Sequence, residues 1–456
     1  MAIVAELAPL LWFDRTCTDR AGVGRRNRGW LGIPSLRISS FGIRLLALLL
    51  GCCCIGQSAA QTGTFIDRQL ATDLRVASFN IFLDSIFPVS SIPGQKFARV
   101  VNALDADILN LQEIHHSAAE VAELLNEIAP IAAGTWHTHK GRGNVIASKY
   151  PLSMLATSID PLSDRPPAIA LVDLPDAQFE NDFYIVNHHY LCCGTPGASS
   201  PRDLERQQSS DAVVRWLRDA RTPGELIDLS PGTPIAIVGD LNNVGGPGPL
   251  DTLVTGNILN ESTYGPDSPP DWDGSSLTEA HPLHNGSGPA DYTFRNEGSS
   301  YDLTRIDHII YSDSALDIAN KFVLNTVEMS PADLAATGLQ TFDITIDLTG
   351  VRFDHLPVVA DFRLFDFAAS DFNFDRAVDH ADIAVWESNF GLGNDGDSDG
   401  DGDTDGADFF AWQRLVTPSE ADLNTGAIGI PEPSALTLAL LLFLAATGYL
   451  RISQAN

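Results

Sequence analysis

Short apolar runs, each closing on a polar residue, punctuate this chain. They are Val76-Ala77-Ser78-Phe79-Asn80, Ile108-Leu109-Asn110-Leu111-Gln112-Glu113, Tyr184-Ile185-Val186-Asn187-His188-His189, Ile235-Ala236-Ile237-Val238-Gly239-Asp240-Leu241-Asn242 and Val351-Arg352-Phe353-Asp354-His355. Runs of this kind, bounded by turn residues, predict buried strands. Between them Lys96 to Asp105, Ala118 to Glu127 and Arg206 to Arg221 carry helical patterns, separated by loops rich in Pro, Gly and Ser. Such alternation predicts one large α/β domain over residues 73–365. Within it, the polar stretch Gly245 to Ser287 reads as an insertion loop with little structure, and Arg206 as a residue of a solvated helix face. Carboxylates, amides and imidazoles at the same end of several strands converge on one pocket, the pattern of a hydrolytic metalloenzyme.

A chain of 456 residues is too long for one core of ordinary size, and its ends follow other rules. Arg37 to Arg44, the run Leu45 to Leu50 and the small residues Ser58-Ala59-Ala60 have the three regions of a secretory signal. Cleavage is expected after Ala60, with residues 61–72 as a linker. A second linker, 417–430, precedes Pro431-Glu432-Pro433, an apolar run from Ala435 to Leu450 and Arg451. This ending resembles the PEP-CTERM sorting signal of bacteria. The resemblance implies export and sorting machinery as partners, a transient membrane anchor and a place in the cell envelope or extracellular matrix.

Residues 366–416 hold an internal repeat. Asp371, Asp375, Asp382 and Trp386 recur 26 residues later as Asp397, Asp401, Asp408 and Trp412. Asp371, Asn373, Asp375, Asp379 and Asp382 fall at loop positions 1, 3, 5, 9 and 12, as do Asp397, Asp399, Asp401, Asp405 and Asp408. Oxygen donors at these offsets suit Ca²⁺. The sharp turn needed at position 6 has Gly402 in the second loop but Arg376 in the first. The duplication resembles a dockerin-type repeat, which implies a small all-α Ca²⁺-loop domain and a cohesin-like partner.

Charge narrows the choice of substrate. The formal net charge is −31, and residues 1–60 carry seven Arg against three acids, so the remainder is more acidic still. Such a surface repels polyanions unless cations intervene, and no basic stripe of the kind that tracks nucleic acid is present. Outside the leader the cysteines reduce to the adjacent pair Cys192 and Cys193, too few for a structural zinc site and expected to be packed or vicinally oxidised.

Ser78-Phe79-Asn80, Leu111-Gln112-Glu113, Val186-Asn187-His188-His189, Gly239-Asp240-Leu241-Asn242, Arg305-Ile306-Asp307 and Phe353-Asp354-His355-Leu356-Pro357-Val358 occur in this order. As a set they resemble the endonuclease/exonuclease/phosphatase superfamily, whose fold DNase I-like nucleases, inositol-phosphate phosphatases and bacterial sphingomyelinases share. The resemblance implies a four-layer sandwich of two packed β-sheets with outer helices and a site at one edge. Phosphoester hydrolysis wants a hard cation for the phosphate charge, a base for water and an acid for the leaving oxygen. Glu113, with Asn80 and Asp354, is the expected Mg²⁺ or Mn²⁺ site. Asp240 and Asn242, two apart on a strand end, orient water and phosphate; Asp307 fixes His355 for proton transfer. His189 steadies a phosphate oxygen, and Arg165 is the phosphate contact that the resemblance to the DNase I branch implies. His115, His116, His188 and His308 are read as satisfied or exposed bystanders. The leading expectation is an exported metal-dependent phosphodiesterase, an extracellular nuclease first and a lipid or small-molecule phosphodiesterase second. A catalytically idle Ca²⁺-binding adhesion or matrix protein is the third reading.

Overall fold

The computed structural model describes residues 63–416 apart from 157–158, 160–164, 194–199, 226, 296–302 and 345–352. The secretory leader and the C-terminal sorting segment lie outside the described residues, among which no helix is long and apolar enough to cross a membrane. In chain order the elements are β1 (Leu74–Asn80), α1 (Ile92–Leu104), β2 (Ile108–Gln112), α2 (Ala118–Ile128), β3 (His137–Lys140), β4 (Asn144–Ser148), β5 (Leu152–Ala156), β6 (Ala168–Val172) and β7 (Phe183–His189). There follow α3 (Pro201–Ala220), β8 (Ile235–Asp240), α4 (Gly248–Thr255), α5 (Glu261–Tyr264), β9 (Thr278–Glu279), β10 (Asp307–Tyr311), β11 (Leu316–Val323), α6 (Pro331–Thr337), β12 (Val358–Leu364), α7 (His380–Asn389) and α8 (Gly406–Leu415).

The strands form two six-stranded mixed sheets, ordered β11-β12-β1-β2-β4-β3 and β5-β6-β7-β8-β10-β9. Side chains alternate across each strand, so every strand feeds two layers. Leu74 and Val76 of β1, Ile108, Ile185, Val238 and Phe362 meet between the sheets. The other face of β1 and β2, with Phe79 and Leu111, packs on Phe97 and Val101 of α1 and Leu125 of α2. Tyr184, Val186 and Ile237 in the second sheet pack on Val213 and Leu217 of α3. Helices therefore cover both outer faces, as the superfamily resemblance implies. Serines start the helices: Ser91, Ser117 and Ser200 accept backbone N–H groups of Gly94, Glu120 and Asp203, and Glu120 closes a capping box.

Four expectations are corrected. Residues 61–72 are not all linker, since Ile66 is buried in the core beside α1 and its carbonyl accepts from Arg75. Gly245 to Ser287 is ordered rather than loose: α4, α5 and β9 lie in it, and Leu253, Ile258 and Leu277 pack on the α3 layer. Arg206 is not solvated but fully buried, ion-paired to Asp203 and donating to the Leu191 carbonyl at 2.6 Å. The run containing Asp354 and His355 does not end a strand; both residues precede β12, which begins at Val358.

Candidate active site

Toward one edge of the sandwich the layer between the sheets turns from apolar to polar. The carboxyl ends of the parallel pairs β1–β2 and β7–β8 deliver Ser78, Asn80, Asn110, Gln112, Asn187, His189 and Asp240 there, all buried. Gln112 Nε2 donates to Ser78 Oγ (3.0 Å) and across the sheets to Asn187 Oδ1 (2.8 Å). Asn187 Nδ2 returns to the carbonyls of Leu111 (3.2 Å) and Val145 (2.9 Å). These bonds tie the two sheets together beneath the site, although Asn110 Oδ1 and Gln112 Oε1 accept no hydrogen bond among the described residues. Gly239 keeps the pair β7–β8 close: at φ +133°, an added Cβ would stand 1.9 Å from the His188 carbonyl oxygen. Gly239→Ala is therefore expected to destabilise the fold by about 1–3 kcal/mol; a wild-type melting temperature would contradict this.

Asp307 opens β10 directly opposite Asp240. His355 Nδ1 donates to Asp307 Oδ2 at 2.8 Å, and its Nε2 lies 3.7 Å from Asp240 Oδ2. Burial pushes the imidazole down, but the Asp307 and Asp240 carboxylates and the Asp307 hydrogen bond outweigh it and hold His355 up to about 10. Burial likewise pushes Asp240 up, to about 7, with Asp307 adding to the rise and His355 and the N–H donors of Asn80 and Asn242 opposing it. Asp240, Asp307 and His355 could together face a metal ion, as their donor atoms lie within 4.8 Å of one another. A carboxylate near each ring nitrogen also favours the protonated form of the ring. The cluster is built to handle protons.

Asn80 joins this cluster to a second one. Its Nδ2 donates to Asp240 Oδ2 (3.1 Å) and Glu113 Oε1 (3.3 Å), while its Oδ1 accepts the Phe82 N–H at 3.1 Å. Glu113 lies just past β2 at φ 62°, with Oε2 accepting the Leu83 N–H at 2.9 Å. Burial raises the carboxyl of Asp354 against the pull of His355, and Glu113 and Asp307 raise it further. The Asp354 carboxyl feels the charge of Glu113, and carboxylates near enough to act on one another suit a hard divalent cation, with Asn80 bracing Glu113.

An open cleft of about 440 Å³ lies over this edge, lined among others by Leu83, Glu113, Arg142, Arg165, His189 and Leu191. Arg165 Nη1 is 3.2 and 3.3 Å from the two ring nitrogens of His189, a position over the ring face. Burial, then Arg165 and His355, keep His189 well below the usual histidine range, so it stands neutral beside a cation, 3.4 Å from Asp240. Asn242 is at φ 44°, so it sits in a turn and not on the strand; its N–H donates to Asp240 Oδ1 (3.0 Å) and its Nδ2 to the Tyr190 carbonyl (3.2 Å).

Of the four histidines set aside by the sequence, His115 lines the cleft, and each of the four has a polar partner. His188, which burial pushes down to about 4, donates to the Arg165 carbonyl at 2.8 Å; His308 bridges Glu279 (2.6 Å) and Asn243 (3.2 Å); His115 and His116 both face Asp84. Sequence reading missed Arg142, at the tip of the β3–β4 hairpin, whose Gly141-Arg142-Gly143 turn between two strands was the available signal.

The acidic repeat keeps its period in three dimensions. Asp371, Asn373 and Asp375 form the first loop, Asp379 caps α7 and Asp382 lies in its first turn; Asp397, Asp399, Asp401, Asp405 and Asp408 repeat this with α8. Asp382 accepts the N–H groups of Phe372, Asn373 and Asp379, and Asp408 those of Ser398, Asp399 and Asp405. The tryptophans cross over: Trp386 donates to the Asp405 carbonyl (2.8 Å) and Trp412 to that of Asp379 (3.0 Å). Asp397, Asp399 and Asp401 bring oxygens within 4.8 Å of one another, a hard donor set that fits Ca²⁺.

Two stacked mixed sheets carrying a carboxylate–histidine pair beside clustered acidic oxygens define a class of phosphoester hydrolases. The model of the Endonuclease/Exonuclease/phosphatase family matches residues 77–330, more than half of the chain, and the chain belongs to that family. Among solved structures it is similar to the human Nocturnin catalytic domain with bound sulfate anion, at 15% identity over 65% of this chain and 96% of that one, TM-score 0.41. It is also similar to ANGEL2, described as a 2',3'-cyclic phosphatase (18%, 64% and 96%, TM-score 0.44). A Bacteroides thetaiotaomicron protein of the same family matches at 19% identity, 64% and 98% coverage and TM-score 0.38. No curated protein matches the chain.

Proposed function

We propose that this protein is an exported, divalent-metal-dependent phosphodiesterase, with nucleic acid as the first substrate class to test. The observation that carries the reading is the juxtaposition, across Asn80, of the Asp240–His355–Asp307 cluster with Glu113 and Asp354. Glu113 and Asp354 would hold Mg²⁺ or Mn²⁺, which would supply charge to offset a phosphate oxygen. Arg165 and neutral His189 donate hydrogen bonds to another oxygen of the same group, where charge grows as water attacks. Asp240, the buried carboxylate nearest them, takes the proton of the attacking water. His355, held by Asp307, gives a proton to the departing alkoxide. Asn242 sets the Asp240 carboxylate through its backbone N–H and closes the floor against Tyr190.

Arg142 and Arg165 at the mouth favour an anionic substrate over a neutral lipid surface despite the acidic body. Export and sorting are supported by the two terminal signals, and Ca²⁺ in the repeat by the oxygen sets of its loops. Purified protein is to be offered plasmid DNA, RNA, sphingomyelin and bis-p-nitrophenyl phosphate, with Mg²⁺ or with EDTA. Turnover of at least one diester, abolished by EDTA and restored by Mg²⁺ or Mn²⁺, is expected. EDTA-resistant turnover would remove the metal from the scheme, and no turnover of any of the four would return the chain to the idle matrix reading.

A further inference from the structure

Arg376 stands where the second repeat has Gly402, at φ 70°, a left-handed conformation that costs a side chain strain. Strain of this kind persists where the surroundings over-determine it. The surroundings belong to the catalytic sandwich. Arg376 Nε donates to the Ser314 carbonyl at 2.7 Å, Nη2 to that of Asp313 at 2.5 Å and Nη1 to Asp317 Oδ1 at 2.7 Å. Its guanidinium lies 4.6 Å over the ring of Phe365. Phe374, at φ 58°, packs edge-on against Phe367 (5.1 Å) and tilted against Trp272 (6.0 Å). Behind them Asp271 accepts the Ser314 N–H at 3.2 Å, so the segment after α5 braces the platform.

The platform is the edge remote from the catalytic groups. Tyr311, at the end of β10, pairs with Ala236, whereas Asp307, at its start, pairs with Asp240. None of these contacts serves cation binding. The half-exposed Arg376–Asp317 pair is weak alone, but two charge-assisted carbonyl contacts and the stacking on Phe365 add to it.

We propose that Arg376 and Phe374 form a latch that fixes the acidic repeat to the non-catalytic edge, so that repeat and catalytic domain unfold as one cooperative body instead of as two modules on a linker. Arg376→Gly is the informative substitution, because it relieves the strained backbone of the loop while releasing the sandwich. In calorimetric scans of the full chain, the wild type is expected to unfold in one transition and Arg376→Gly in two. The catalytic transition should fall by about 2–4 °C. Asp317→Asn, which leaves the repeat untouched, should shift it in the same direction by less. Two transitions in the wild type, or a single unshifted transition in Arg376→Gly, would overturn the latch. Scans with a Ca²⁺ chelator, which rest on the cation reading, should lower the wild-type transition and only the repeat transition of Arg376→Gly. Indifference of both proteins to chelator would defeat the cation reading and leave the latch judged by the chelator-free scans.

Discussion

Replacement of His355 by alanine is expected to lower kcat on plasmid DNA by about 10²–10⁴, the usual contribution of a positioned proton donor. The loss should depend on the leaving group. An alkoxide of deoxyribose needs a proton as it departs, whereas p-nitrophenolate does not, so bis-p-nitrophenyl phosphate should lose much less. Asp307→Asn should fall in the same way, because it removes the carboxylate 2.8 Å from Nδ1 that orients the ring and holds its charge. Two residues acting as one unit are not additive, and the double variant should be little worse than His355→Ala alone. Equal losses on both substrates would remove the acid role, and wild-type turnover would remove His355 from the mechanism altogether.

The largest stability effect is expected from Arg75→Ala. Arg75 faces the helix side of β1 opposite Asp361 and meets it with bonds of 2.6 and 2.7 Å; both side chains are almost wholly buried. It also donates to the Leu104 carbonyl at 2.7 Å and to that of Ile66 at 2.5 Å, which ties α1 and the segment before β1 to the sheet. Removing one partner of a buried pair leaves an uncompensated charge, at about 3–5 kcal/mol. For a domain of this size the melting temperature should drop by roughly 6–20 °C. Arg75→Met with Asp361→Leu removes both charges and should recover part of the loss, since only the carbonyls of Leu104 and Ile66 then lack a donor. A single variant within about 2 °C of wild type would show that the charge is not buried as the geometry has it.

The strand-end residues Asn80, His189 and Asp240 were legible because a strand alternates with period two; Glu113, just past β2 at φ 62°, showed only as the polar close of its run. A polar residue closing an apolar run has to emerge at the edge of a sheet. Asp354 and His355 were found through the wrong element, since an apolar run before a turn looks like a strand whether or not it pairs. His355 makes only an isolated bridge to Phe294, and the strand itself starts at Val358. Arg206 was misread because Asp203 neutralises it and the Leu191 carbonyl accepts its hydrogen bond from inside, and no periodicity records that. The stretch from Gly245 to Ser287 is polar on average. Its order comes from a few apolar residues, Leu253, Ile258 and Leu277, that matter only once α3 offers a surface. The Gly141-Arg142-Gly143 turn marks a hairpin tip but not a site, since an exposed arginine there is common; what distinguishes Arg142 is the cleft beneath.

The repeat meets the sandwich at the edge where β10 ends, and Glu113, Asp240 and His355 open at the other. A body gripped by its repeat is thus gripped at the base, with its mouth turned outward. A partner that held the repeat would leave the cleft free on the remote edge.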